Sequence, residues 1–372
     1  MKSCRSKEKE QGTTLLHWFL ITMLMLLPLV MAINVRAQEE AVGVDVTAAD
    51  RVAATYGVSN LAYHIFPSKT QAGRTALAAH NLGTAGTSPT KAGAVAATIP
   101  PVPSPGFYGE DLVYFGGHVL KTTTSNAVYV NMGSCGTVAQ CWGNPEGFLS
   151  DLSNSNFIHL TDQYLGTTAH NRYPVGKSVQ ATIPLFVSNV VSQADIFATV
   201  HAAAKANGTG YGHIYHVFLP QGEDTCFDLT NVCYSPDNPS SFFFCAYHGS
   251  LDFNDIGHVL ISVEPYQNVA GCDVAPPSPN GMLADSTNSV LSHEQVESIT
   301  DPDPFGPGDP RSGWVSFKGF FAAGAEIGDL CISLTNGAPN FQTLDPKVKL
   351  NGKTYQLQGE YSNHYHACAF AP

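Results

Sequence analysis

Positive charge is what this chain has least of. Its 372 residues carry 18 Lys and Arg against 30 Asp and Glu, a formal net charge of −12, and all charged residues together make up 13%. No basic run offsets the acid, so the chain would repel phosphate backbones and nucleic acid is excluded as an expected partner. No Cys-x-x-Cys pair occurs, which counts against a zinc ribbon or a thioredoxin-like redox site. There is no G-x-S-x-G elbow for a serine nucleophile and no glycine-rich phosphate loop after a strand. After the N-terminal region no apolar run is long enough to span a bilayer.

What is present begins with that N-terminal region. Residues 1–37 have a basic start, an apolar run from Leu15 to Ile33 and small residues at Val35 and Ala37. These are the three parts of a secretory signal, with cleavage expected after Ala37. The alternative is an uncleaved membrane anchor, and in either case the remainder works outside the cytoplasm. Loss of residues 1–37 removes Lys2, Arg5, Lys7, Lys9 and Arg36 against Glu8 and Glu10, which makes the chain more acidic still.

The same cleavage removes Cys4 and leaves Cys135, Cys141, Cys226, Cys233, Cys245, Cys272, Cys331 and Cys368. An even count in an exported chain reads as four disulfides. Eight cysteines allow 105 pairings. Proximity suggests Cys135 with Cys141, Cys226 with Cys233, Cys245 with Cys272, and Cys331 with Cys368.

Residues 38–106 read as an N-terminal extension. They hold one plausible helix, "DVTAADRVAATYG" at 45–57, followed by an Ala/Thr/Pro-rich linker at 84–106 that is too polar and proline-rich to bury a core. The globular domain is expected over 107–372. Strands are expected in "NAVYVNM", "GHIYHVFLP" and "HVLISVEPY", which are β-branched and aromatic. Helices are expected after Pro145 and over "SQADIFATVHAAAKANG", capped by Ser192 and closed by Gly208. A hairpin should turn at Asn351-Gly352. The fold class is therefore α+β, a mixed β-sheet packed with helices and stabilised by disulfides.

The stretch with chemistry in it is "SVLSHEQVESITDP", Ser289 to Pro302. On a helix His293 and Glu297 lie four apart on one face and can reach one ion, while Glu294 can touch a water on it. This is the logic of the H-E-x-x-H zinc helix with Glu in place of the second His. Asp285 or Ser286 would cap the helix, and Asp301-Pro302 would end it. Catalytic zinc usually takes three protein ligands, so a third is needed, and "GAEIGDLC" offers Glu326 with Asp329 three residues on. Asp329, and Asp301 nearby, would then orient ligands from behind. The bland alternative is a solvated acidic face on a surface helix. His248 in "CAYHG" reads first as a structural histidine bonded to backbone, and His364 and His366 as exposed tail residues.

"SVLSHEQVESITDP", followed by Gly313-Trp314, "AEIGDLC" and "YSNHYHAC", resembles the C-terminal half of the EXORDIUM or phosphate-induced protein family. The likeness is to bacterial secreted relatives with an H-E-x-x-E-x-x-T-D-P helix. "VYFGGHVL" and "FCAYHG" extend it, so that it covers about residues 107–372. The resemblance implies an exported, disulfide-bonded protein with a zincin-like helix and a metal site formed by His293, Glu294, Glu297 and Glu326, with Asp329 beside them. Zinc is the first expectation for the ion, and two carboxylate ligands leave manganese, iron or calcium open. The expected activity is zinc-dependent hydrolysis of a peptide or protein with Glu294 as general base. The alternative is a non-catalytic module that binds a cell-wall or surface component.

Overall fold

The computed structural model of the chain describes residues 41–46, 57–68, 111–184, 189–227, 232–316, 326–331, 334–335, 338–339 and 346–372. The expected signal segment, the linker at 84–106 and residues 47–56 of the helix expected at 45–57 lie outside them. Its centre is a seven-stranded mixed sheet. We number its strands β1 (Val42–Asp45), β2 (Val58–Pro67), β3 (Thr124–Val130), β4 (Val179–Thr182), β5 (His213–Phe218), β6 (Phe244–Phe253) and β7 (Gly257–Glu264). The spatial order is β1-β4-β3-β5-β7-β6-β2. β1, β4, β3, β5 and β7 pair in parallel. β6 then runs antiparallel to both β7 and β2.

β1 and β2 correct the expected domain boundary. Residues 42–45 and 58–67, assigned to an extension, supply both outer strands of the sheet whose other strands lie within 107–372. "VSNLAYHIFP" has the β-branched and aromatic residues of a strand, with a proline at its end where a ladder donor is dispensable.

Alternation along the strands builds two cores. On β3, Val128 and Val130 face one core with Tyr215, Val217, Val259 and Ile261. Ala127 and Tyr129 face the other with Trp142, Phe218 and Leu291. Three main helices cover these faces: α1 (Pro145–Ser153), α2 (Gln193–Asn207) and α3 (Met282–Thr300). α2 is capped as expected. The Ser192 side chain accepts from Asp195 N–H, the Asp195 carboxylate accepts in return from Ser192 N–H, and Gly208 ends the helix at φ 127°. Its Ile196, Val200 and Ala203 pack into the first core. Fully burying a side chain of the size of Ile196 or Val200 contributes about 1.5–3 kcal/mol.

α3 behaves differently. It starts at Met282 after Gly281, and neither Asp285 nor Ser286 caps it. Asp285 instead accepts from the backbone N–H of Asn280 at 2.9 Å, and Ser286 accepts from Val274 N–H at 3.0 Å. The helix has no apolar stripe, yet nearly every residue from Asp285 to Thr300 is buried. Polar partners explain how that is sustained: Gln295 accepts from Ser125 at 2.9 Å, and Ser289 accepts from Gln358 N–H at 3.1 Å.

The four disulfides pair as proximity suggested: Cys135–Cys141, Cys226–Cys233, Cys245–Cys272 and Cys331–Cys368. Such a set fits an oxidising, extracellular-type compartment. The hairpin Lys347–Leu350 and Lys353–Gln356 turns at Asn351 and Gly352, both at positive φ. No helix among the described residues is long and apolar enough to cross a membrane.

Candidate metal centre

Between β2, β6 and α3 lies a knot of acids and imidazoles. His64 and His248 are direct register partners on β2 and β6, so both rings stand on the same side of the sheet. β2 and β6 run close here, since a Cβ on Gly249 would meet the Ala62 carbonyl oxygen at 2.1 Å. From α3 come His293, Glu294 and Glu297, and all three are fully buried. That rules out the solvated surface helix. Glu326 and Asp329 arrive from a short segment held by Cys331–Cys368 and by the bond from Tyr361 N–H to the Ile327 carbonyl at 2.9 Å.

Six side chains and one backbone carbonyl meet within a few ångströms. His248 Nδ1 lies 3.2 Å from Glu294 and 3.5 Å from Glu297, and its Nε2 lies 3.5 Å from Glu326 and 3.2 Å from the Asp301 carbonyl. His64 bonds Asp329 through Nε2 and lies 3.4 Å from Glu326 through Nδ1. Two sets of three donor atoms, each mutually within 4.8 Å, emerge: His64, Glu297 and Asp329, and His248, Glu297 and Glu326.

Of the residues singled out in the sequence, Glu297 and Glu326 therefore converge, with Asp329 beside them. His293 belongs to neither set. Its Nε2 lies 3.0 Å from Glu297 and its ring stacks on Phe66 with centroids 4.2 Å apart. Gln358 donates one amide hydrogen to the Gly328 carbonyl at 2.6 Å and the other to His293 Nδ1 at 3.1 Å. Gln358 thus fixes the His293 ring, and its Nε2 faces Glu297 without a hydrogen bond to it, so His293 stands behind that carboxylate. Asp301 ends α3 and accepts from Gly313 N–H at 2.7 Å, which places it behind the cluster. His248, expected to be structural, bonds backbone and faces three carboxylates as well.

His64 and Glu360 were not foreseen. His64 sat in the expected extension, and only the strand-like character of its surroundings could have drawn it in. Glu360 is fully buried, neither of its carboxylate oxygens has a partner among the described residues, and its sequence surroundings carry no motif.

Electrostatics set the problem that the cluster has to solve. Burial, then Glu297 and Glu264, push the Glu294 carboxyl well above the usual range. Burial, then Asp301 and Glu297, do the same to Glu326, and burial, then Glu297, to Glu360. Burial raises Asp301 to about 8. Burial would lower His64, but the facing Asp329 carboxylate raises it to about 9. Burial and the proximity of His64 drop His248 to about 3. Burial opposes ionisation of Asp329, yet His64 holds its carboxyl below the ordinary value. The arginines and lysines seen pairing with acids do so elsewhere, Arg172 with Asp162, Arg311 with Asp309 and Lys353 with Asp151. Meanwhile Glu294 Oε1, Glu297 Oε2, Glu326 Oε2, Asp329 Oδ1 and His293 Nε2 are buried with no hydrogen-bond partner among the described residues. Buried oxygens left this way need protons or a cation. Imidazole and carboxylate donors suit zinc, manganese or iron, so the residues present fit a divalent ion.

One strand step along β6, Ser250 opens onto a cavity of about 390 Å³ lined by Tyr211, Asp252, His258, Asp303 and Arg311 among others. Asp303 accepts from Tyr211 at 2.6 Å and Ser250 at 2.5 Å, and His258 lies between Asp303 and Asp252. Comparison of the chain with protein-family models, with curated proteins and with solved structures gave no match.

Proposed function

We propose that this is an exported metal-dependent hydrolase of the EXORDIUM-like type, built on a zincin-like helix and acting on a peptide or protein substrate. The motifs "SVLSHEQVESITDP" and "AEIGDLC" support the family reading, and the four disulfides support export, with residues 1–37 as the cleaved signal. One observation carries the metal reading: carboxylate oxygens of four side chains are buried beside three histidines with no hydrogen-bond partner among the described residues. His248, Glu297 and Glu326 would hold zinc, with His64 and Asp329 adjoining. A bound divalent ion there would acidify a water and polarise a carbonyl. Glu294, 3.2 Å from His248, would take a proton from that water once the charge of the ion favours its carboxylate form, and His293, 3.0 Å from Glu297, would steady that ligand.

A second reading has a specific observation in its favour. His64, at 20% exposure, is the one group in the two donor sets that is not buried. An ion so enclosed can serve rigidity alone, in a module that binds a cell-wall or surface component. Metal analysis combined with a Glu294→Gln variant separates the two. Hydrolysis lost with metal retained supports catalysis, and a metal-loaded wild type inert on varied peptides supports the binding module.

A further inference from the structure

We infer that the cluster is a dinuclear site in which Glu297 bridges two divalent cations. This rests on the proposed metal reading and adds its stoichiometry and its second ligand set. The two donor sets overlap in one residue: His64, Glu297 and Asp329 form one, His248, Glu297 and Glu326 the other. Together they contain five side chains, one more than a tetrahedral ion accepts before any water is added.

The two oxygens of Glu297 serve different neighbours. Oε1 accepts from Asp329 N–H at 3.2 Å and lies 3.0 Å from His293 Nε2, while Oε2 faces His248 Nδ1 at 3.5 Å and has no hydrogen-bond partner. Glu326 is divided in the same way, with Oε1 3.4 Å from His64 and Oε2 3.5 Å from His248. Glu297 is the residue common to both sets and Glu326 faces both imidazoles, so the two positions share carboxylates, and paired ions in hydrolytic sites sit about 3.5–4 Å apart.

Charge points the same way. Glu294, Glu297, Glu326 and Asp329 carry four negative charges when ionised, and all four are buried. One divalent ion leaves two of those charges uncompensated, with no lysine or arginine among the described residues seen pairing with them, and two ions neutralise them. Each set then supplies one imidazole and two carboxylates, so the two positions are chemically alike.

The test is metal stoichiometry on the full mature chain, stripped with chelator, dialysed against zinc and analysed by plasma mass spectrometry. The expected values are two zinc ions per chain in the wild type and one in His64→Asn, a change at a partly exposed strand position. Manganese loading gives an independent readout, because an exchange-coupled pair loses the six-line spectrum of an isolated ion. One zinc per chain in the wild type, or an isolated manganese spectrum at saturation, overturns the bridge and leaves the metal reading standing. No zinc at all overturns both. If His64→Asn fails to fold by circular dichroism, the wild-type stoichiometry and manganese spectrum decide alone.

Discussion

His64 and His248 stand opposite each other across β2 and β6, with ring centroids 6.0 Å apart, although 184 positions separate them in the chain. The pairing of an outer strand thereby brings an imidazole from the start of the chain to acids from its end. His64→Asn should lower metal affinity by at least about 10-fold, since even outer partners of metal ligands cost that much. Competition with a chromophoric chelator measures it, and an unchanged affinity would remove His64 from the site.

Glu294→Gln keeps the shape of the side chain but not its basicity. Loss of a positioned general base lowers turnover by about 10²–10⁴-fold. Metal content measured on the same sample should not change. Equal peptide hydrolysis by the wild type and the variant would show that Glu294 is no base.

Gly328 is a packing prediction. A Cβ there would lie 2.3 Å from His293 Nδ1 and 2.6 Å from Cε1. The ring is stacked on Phe66 and cannot retreat freely. Gly328→Ala should therefore destabilise by about 1–3 kcal/mol, as overpacking does, and it should weaken metal binding through Glu297. Urea denaturation of both chains reads the first effect directly.

The cavity beside the cluster supplies a pH prediction. Burial opposes the charge on His258, but Asp303 and Asp252 raise its pKa above 6.5. Burial opposes ionisation of Asp303, but His258, Ser250 and Tyr211 lower its pKa below 3.8. The His258 contribution is full below 6.5 and fades as pH rises through the folded value, while the Asp303 contribution is full above 3.8 and fades as pH falls. The Tyr211 ring lies tilted beside the His258 ring with centroids 4.6 Å apart, and Arg311 lines the same cavity. His258→Gln should thus cost melting temperature at about pH 6 and much less at about pH 9. A cost that does not vary with pH would contradict the ion pair.

Much of the frame was legible in local sequence. Ser192 and Gly208 bounded α2, Asn351-Gly352 marked a hairpin, and cysteine spacing gave the pairing. The site was legible only in part. Glu297 and Glu326 sat in recognisable motifs, but His64 depended on β2 adding itself to β6, a pairing that no local pattern encodes. α3 misleads for a related reason. "ADSTNSVLSHEQVESIT" has no apolar stripe and reads as solvated, yet it is buried because strands and loops bring matching polar groups to it. His293 shows the limit of motif transfer, since its role turns on Gln358, 65 residues away.

Everything turns on whether the buried carboxylates hold a cation, and melting the protein with and without metal tests that most directly. Zinc at about 1,000 times its Kd stabilises by about 4 kcal/mol, which for a domain of this size is about 6 °C. The zinc-loaded chain should melt that much higher than the chelator-stripped chain, and Glu297→Gln should abolish the difference. Equal melting temperatures for the loaded and stripped wild type, with no zinc retained, would contradict the account.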